Sequence, residues 1–241
     1  MDHPLPTELR MNIDVQYKPA HSLAVVTLEG GESIRAEAGS MVSMSSNIEV
    51  ETDGPMSKKS GGLLKGLKRA VLGGESFFTN LYKAPAGAPG EVTFAPSLCG
   101  DMVVHELEPS DELLIQGSSY VAAPDTVAID SKWQGFKSLF SGESMFFLKA
   151  TGQGPVVINA FGALEAIDLD GELIVDTGHL VAFTSGLQYT ISKASKGLIA
   201  SFLSGEGLVL RFTGRGRLYV QTRNPSEYGA AVGRQLPPRE N

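Results

Sequence analysis

HSLAVVTLEGGESIRAEAGSMV (residues 21–42), GDMVVHELEPSDELLIQGSSYV (100–121) and GALEAIDLDGELIVDTGHLV (162–181) are one pattern written three times. Leu28, Leu107 and Leu169 correspond, as do Val42, Val121 and Val181, with 14, 14 and 12 residues from leucine to valine. Each leucine is followed by an acid: Glu29, Glu108 and Asp170. A second block then recurs, GLKRAVLGGESFFTNLY from Gly66, GFKSLFSGESMFFLKA from Gly135 and GLIASFLSGEGLVLRF from Gly197. Independent agreement at the same places argues for three diverged internal repeats, at about 21–99, 100–161 and 162–224, with a mobile tail over 225–241. Successive starts lie 79 and 62 residues apart, the first copy carrying an insertion. That is longer than common solenoid or propeller repeats, so each copy is predicted to be a small sheet of several strands.

Working outward, Leu23–Leu28, Leu113–Gln116, Ser144–Lys149, Pro155–Asn159, Leu208–Phe212 and Leu218–Thr222 are short, rich in β-branched or aromatic residues and bounded by glycine. They read as strands. Thr151–Gly154 and Thr213–Gly216 are predicted hairpin turns, glycine allowing the positive φ that tight turns require, and Ala84–Gly90 takes that place in the first copy. Short helices are predicted only around Leu63–Leu72, Trp133–Phe140 and Leu198–Leu203. The expected fold is therefore all-β, one domain over 1–241, with three sheets in a pseudo-threefold arrangement around shared apolar faces.

Composition agrees. Of 241 residues, 42% are apolar and 20% charged, with 28 glycines and 13 prolines, a mixture that supports a packed core divided by many turns. A formal charge of −7 disfavours general nucleic-acid binding, because phosphate contacts need a positive surface. The single Cys99 allows no internal disulfide framework and no metal cluster, which points to a reducing compartment, the cytoplasm. Residues 1–10 have neither the basic start nor the apolar run of a secretion signal, and no apolar stretch reaches membrane-spanning length.

The most suggestive segment is KKSGGLLKGLKRAVLGG, residues 58–74. Lys58, Lys59, Lys65, Lys68 and Arg69 gather there in an otherwise acidic chain, beside Leu63, Leu64 and Leu67. As a helix it would separate leucines from basic residues, the arrangement of an interfacial membrane helix. A surface helix that packs its leucines on the sheet and leaves its lysines in water has the same pattern. Matching positions in the other copies, Phe136 and Phe140, then Leu198 and Phe202, are also apolar, so the three segments form a candidate face for a membrane or a partner.

Glu75, Glu143 and Glu206 recur in register and could converge on a cation, but carboxylates between a glycine and a strand also accept backbone N–H bonds, and no metal site is assigned. The four histidines show no metal-ligand spacing and no serine sits in a nucleophile elbow, so no catalytic residue is expected. His105 occupies a position that Val26 and Ile167 fill in the other copies and is predicted to be a partly buried, hydrogen-bonded imidazole. No dinucleotide or phosphate loop is present, so no cofactor is expected. Arg211, Arg215 and Arg217 with Tyr219 make a small basic run that could touch RNA or simply alternate along a strand.

With the repeat in place, the chain resembles the family of small β proteins named for altered inheritance of mitochondria, over about Asn12 to Asn224. Ala38-Gly-Ser-Met-Val42, the Gly/Lys-rich residues 61–74, Gly74-Glu-Ser-Phe-Phe78 and Gly142-Glu-Ser-Met-Phe146 carry the resemblance. It implies a β-sandwich-like fold grouped with the tryptophan RNA-binding attenuation protein, that is, TRAP-like. For mitochondrial relatives it also implies support of inner-membrane organisation, and it implies no catalytic motif. The expectation is a non-catalytic scaffold or interaction protein, homo-oligomeric, in the cytoplasm and peripheral at the inner membrane. The alternative is a small-molecule or nucleic-acid binding module that uses the sheet ends.

Overall fold

The computed structural model describes residues 11–53, 78–131, 146–193 and 208–237, and among them the framework is β-strand. Taking the chain in three stretches, 21–99, 100–161 and 162–224, preceded by β1 (Asn12–Gln16), the first supplies β2 (Leu23–Leu28), β3 (Ser33–Glu37), β4 (Met41–Met44), β5 (Glu49–Asp53), β6 (Thr79–Lys83) and β7 (Gly90–Phe94). The second supplies β8 (Met102–Leu107), β9 (Glu112–Gln116), β10 (Tyr120–Pro124), β11 (Val127–Asp130), β12 (Phe147–Gly152) and β13 (Gly154–Asn159). The third supplies β14 (Leu164–Asp176), β15 (Leu180–Thr184), β16 (Leu187–Lys193) and β17 (Leu208–Gln221).

These strands form three sheets, in the orders β1-β2-β7-β4, β5-β6-β3-β10-β13-β8 and β11-β12-β9-β15-β17-β14, with β16 also on β17. Their pairings recur in all three stretches. β2 pairs with β7, β8 with β13, and residues 164–169 of β14 with residues 216–221 of β17. β3 pairs with β6, β9 with β12, and residues 172–176 with 209–213. β5 pairs with β6, β11 with β12 and β16 with β17. Finally β4 pairs with β7, β10 with β13 and β15 with β17, each with its register slipping by one at the same place, Val42, Val121 or Val181.

Two further pairings tie successive stretches together. β10 lies against β3, with Ala122 opposite Ala36 and Ala123 opposite Arg35. β15 lies against β9, with Ala182 opposite Ile115 and Phe183 opposite Leu114. The Tyr120 hydroxyl donates to the Arg35 carbonyl at 2.8 Å across the first of these seams.

Burial follows from this layering. β2 alternates, with Ala24, Val26 and Leu28 inward and their neighbours half-buried, as a strand with one covered face should. β10 and β15 are buried at every residue, because their sheets separate two cores. Thus β13 sends Val157 into a core with Val26, Tyr82 and Phe94, and Val156 and Ile158 into a second with Ile115, Val181 and Tyr219. A third core gathers Leu210, Leu218 and Phe183, whose ring meets Phe212, Tyr189 and Phe147 edge-on at 5.0, 5.6 and 6.3 Å.

Of the predicted strands, Leu23–Leu28 is β2, residue for residue, and the Thr151–Gly154 turn joins β12 to β13. Thr213–Gly216 does not turn: it runs through β17. Gly214, at φ 111°, pairs with Gly171 on one side and Leu187 on the other, so the ribbon bends there without losing its partners. After Asn224, Pro225–Gly233 form helix α1, whose first turn is capped by Asn224 Oδ1 accepting from Ser226 N and Glu227 N. Tyr228 on α1 packs edge-on against Phe161 at 5.1 Å. No helix of the described residues is long and apolar enough to cross a membrane. The three predicted helical segments lie outside the described residues.

Candidate functional site

The chemically distinctive place among the described residues is a cleft of about 620 Å³ lined in part from β8, β14 and β17. His105 reaches it from β8, Asp168 and Asp170 from β14, and Arg215 and Arg217 from β17. Strand alternation points His105 inward, where Val26 occupies the matching place on β2, and the imidazole is buried. Its Nδ1 lies 2.8 Å from Tyr219 Oη, and the rings meet at 90° with centroids 5.7 Å apart. Its Nε2 is also buried and has no hydrogen-bond partner among the described residues. Burial holds His105 below the ordinary imidazole range and Arg217 adds to this, while Asp111 opposes it. The imidazole is therefore neutral at pH 7. The predicted partly buried, satisfied histidine is found at one nitrogen and not at the other.

Arg217 stands directly opposite Asp168 in the β14·β17 register and holds it bidentately, Nε to Oδ1 at 2.7 Å and Nη2 to Oδ2 at 2.9 Å. That pair lowers the Asp168 carboxyl and raises the guanidinium. The Arg217 backbone N–H donates to Thr184 Oγ1 at 3.0 Å. Arg215 faces Asp170 at 4.0 Å, and Arg211 donates to Glu172. Each arginine of the basic run thus meets a carboxylate on the neighbouring strand. The run presents a ladder of ion pairs where phosphate recognition would need a positive stripe.

The cleft thus brings two carboxylates and two guanidinium groups beside a buried imidazole. Among the described residues no group of three or more His, Cys, Asp or Glu side chains could hold a metal ion. His179 donates from Nδ1 to the Gln221 carbonyl at 2.7 Å, a structural bond, and Cys99 is exposed. Lys58, Lys59, Leu63, Leu64, Lys65, Leu67, Lys68 and Arg69 lie in 54–77, Phe136 and Phe140 in 132–145, Leu198 and Phe202 in 194–207, all outside the described residues. Glu75, Glu143 and Glu206 lie outside them too. Along the chain those three ranges fall between β5 and β6, β11 and β12, and β16 and β17.

The family model for mitochondrial biogenesis AIM24 matches residues 13–223. The chain belongs to this family. It is 30% identical over 238 residues to an uncharacterized protein of Streptococcus pyogenes serotype M6, an alignment covering 96% of this chain and 94% of that protein. It is also similar to the crystal structure of a Streptococcus pyogenes protein, at a TM-score of 0.76 and 26% identity, covering 94% of this chain and 100% of the other. The resemblance read from residues 38–42, 61–78 and 142–146 is therefore the right family. His105 as an unusual residue at an apolar strand position was legible in the sequence. Its partner Tyr219, 114 residues away, carried no local signal.

Proposed function

We propose that this AIM24 family member is a non-catalytic interaction protein, a frame of three units with one pairing pattern, six strands in each of the first two and four, two of them longer, in the third, that presents three matched segments to a partner. The observation that carries the reading is positional. Residues 54–77, 132–145 and 194–207, the segments that hold the basic and apolar candidates, each join the same two neighbouring strands of their unit. The recurring pairings and the common register slip at Val42, Val121 and Val181 support the three-unit, TRAP-like description. A cluster of five cations in an acidic chain, beside leucines, suits an anionic membrane surface, with the protein cytoplasmic and peripheral at the inner membrane.

Flotation with phosphatidylglycerol/phosphatidylcholine vesicles tests this. Wild type is expected to float and the Lys65→Glu/Lys68→Glu/Arg69→Glu variant to stay in the soluble fraction. If both stay behind, the membrane reading is wrong and docking to a protein replaces it. A second reading, a small-molecule binding module, is favoured by one observation: the unpartnered Nε2 of His105 beside a polar cleft.

A further inference from the structure

We infer that copies of this protein join head to tail, β4 of one chain adding to residues 172–176 of β14 in the next. The inference rests on the three-unit reading and takes it to the ends of the chain. The two inner seams are complete: β10 closes on β3 and β15 on β9, each giving six strands in a row, β5-β6-β3-β10-β13-β8 and β11-β12-β9-β15-β17-β14. The third seam is left open. β4 pairs only with β7, and residues 172–176 pair only with β17, so each leaves one edge without a strand among the described residues.

The two open halves are complementary. One is β16, the first half of β17 and the second half of β14; the other is β4, β7 and β2. Placed together they give the order β16-β17-β14-β4-β7-β2, which is the order of the inner sheet β5-β6-β3-β10-β13-β8. The register slip at Val42 shows that β4 already has the shape of β10 and β15.

Exposure at equivalent positions gives the physical reason to close the seam. Met41, Val42 and Met44 are 39, 59 and 40% exposed, whereas Val121, Val181, Tyr120, Leu180 and Phe183 at the same places are fully buried. On the other edge Ile174 is 50% exposed, while Leu114, its counterpart at the β9·β15 seam, is buried. An edge strand with no charge, no proline and outward methionine and valine is what natural sheets avoid unless it is covered. Among the described residues β4 and residues 172–176 do not pair with each other, and β4, Glu172 and Ile174 are exposed, so the occupant of each edge is the other edge of a second copy. Such a contact is heterologous, and the rotation per copy decides between a ring and a filament.

The test uses cysteine pairs in a Cys99→Ser background, oxidised mildly at tens of micromolar. Met44→Cys/Ile174→Cys corresponds to the paired Phe183 and Leu114, and should give covalent multimers on a non-reducing gel; either single variant should not. Wild type should show at least twice the monomer mass by light scattering, and Val42→Lys, folded by circular dichroism, should return to monomer mass. A multimer from Met44→Cys alone, a disulfide closed within one chain, or monomeric wild type would each overturn the inference. Arg35→Cys/Ala123→Cys, on the inner seam, should close within the chain; if it does not, the three-unit reading itself falls, separately from the contact between copies.

Discussion

Phe183→Ala and Met44→Ala remove side chains from equivalent strand positions, one enclosed by its seam and the other at the open edge. Phe183 is fully buried, with Phe212, Tyr189 and Phe147 standing edge-on around it. Rings held on three separate strands cannot all move in to fill the space, so the cost belongs in the upper part of the range for Phe→Ala, about 4–5 kcal/mol. Met44 is 40% exposed in the single chain, and full burial of such a side chain is worth about 1.5–3 kcal/mol, so truncation there should cost about 1 kcal/mol. In urea, with m of about 3 kcal/mol/M, the Phe183→Ala midpoint should fall by more than 1 M and the Met44→Ala midpoint by about 0.3 M. The measurement is equilibrium unfolding by circular dichroism at submicromolar protein, where association between chains does not contribute. Equal costs at the two positions, or a Phe183→Ala loss below about 1.5 kcal/mol, would refute the assignment of these residues to a closed and an open seam.

Two further expectations follow from the layering. Burial raises the Glu37 carboxyl to about 7. The folded state therefore favours the protonated form, and stability should be highest below the ordinary carboxylate range, fall as pH rises from about 4 to 7, and level off above. The shift sets a ceiling of about 3.4 kcal/mol, but Glu37 is only partly buried and solvent screening reduces this to about 1–2 kcal/mol. Glu37→Gln should flatten the fall in urea midpoint between pH 5 and pH 8 and leave the protein more stable at pH 8; an unchanged slope would remove Glu37 as its source. At Gly100, whose backbone bridges to Gly162 where two units begin, an added Cβ would lie 1.8 Å from the Ala160 carbonyl oxygen. Gly100→Ala should cost about 2–3 kcal/mol and lower Tm by about 5–10 °C in calorimetry, and a Tm within 2 °C of wild type would show that the backbone there is not packed so closely.

The sequence made the periodic strands legible because one face is wet: β2 alternates and was read correctly from Leu23 to Leu28. It hid β10 and β15, YVAAP and LVAFT, because a strand between two cores has no polar face to mark it, and a proline at its end looks like a loop. Thr213–Gly216 was misread because glycine marks both a turn and a bend, and the partner strand that distinguishes them is distant in sequence. The cap of α1 was present in Asn224-Pro225-Ser226-Glu227, within the segment read as a mobile tail, and Pro225–Gly233 is helical instead. The carboxylates that meet the basic run, Asp168 and Asp170 directly opposite Arg217 and Arg215 and Glu172 on the same strand near Arg211, needed the β14·β17 register before the run could be seen as neutralised.

The Gly171–Gly214 pair has a consequence for how the molecule comes apart. In the first two units the two pairings use separate strands, β2·β7 and β3·β6 in one and β8·β13 and β9·β12 in the other, so one pair can fray while the other holds. In the third, β14 and β17 stay paired over thirteen consecutive positions through the bend. Opening either end strains the same ladder, so the third unit should exchange its backbone amides as one cooperative block, while the first two release theirs in smaller pieces.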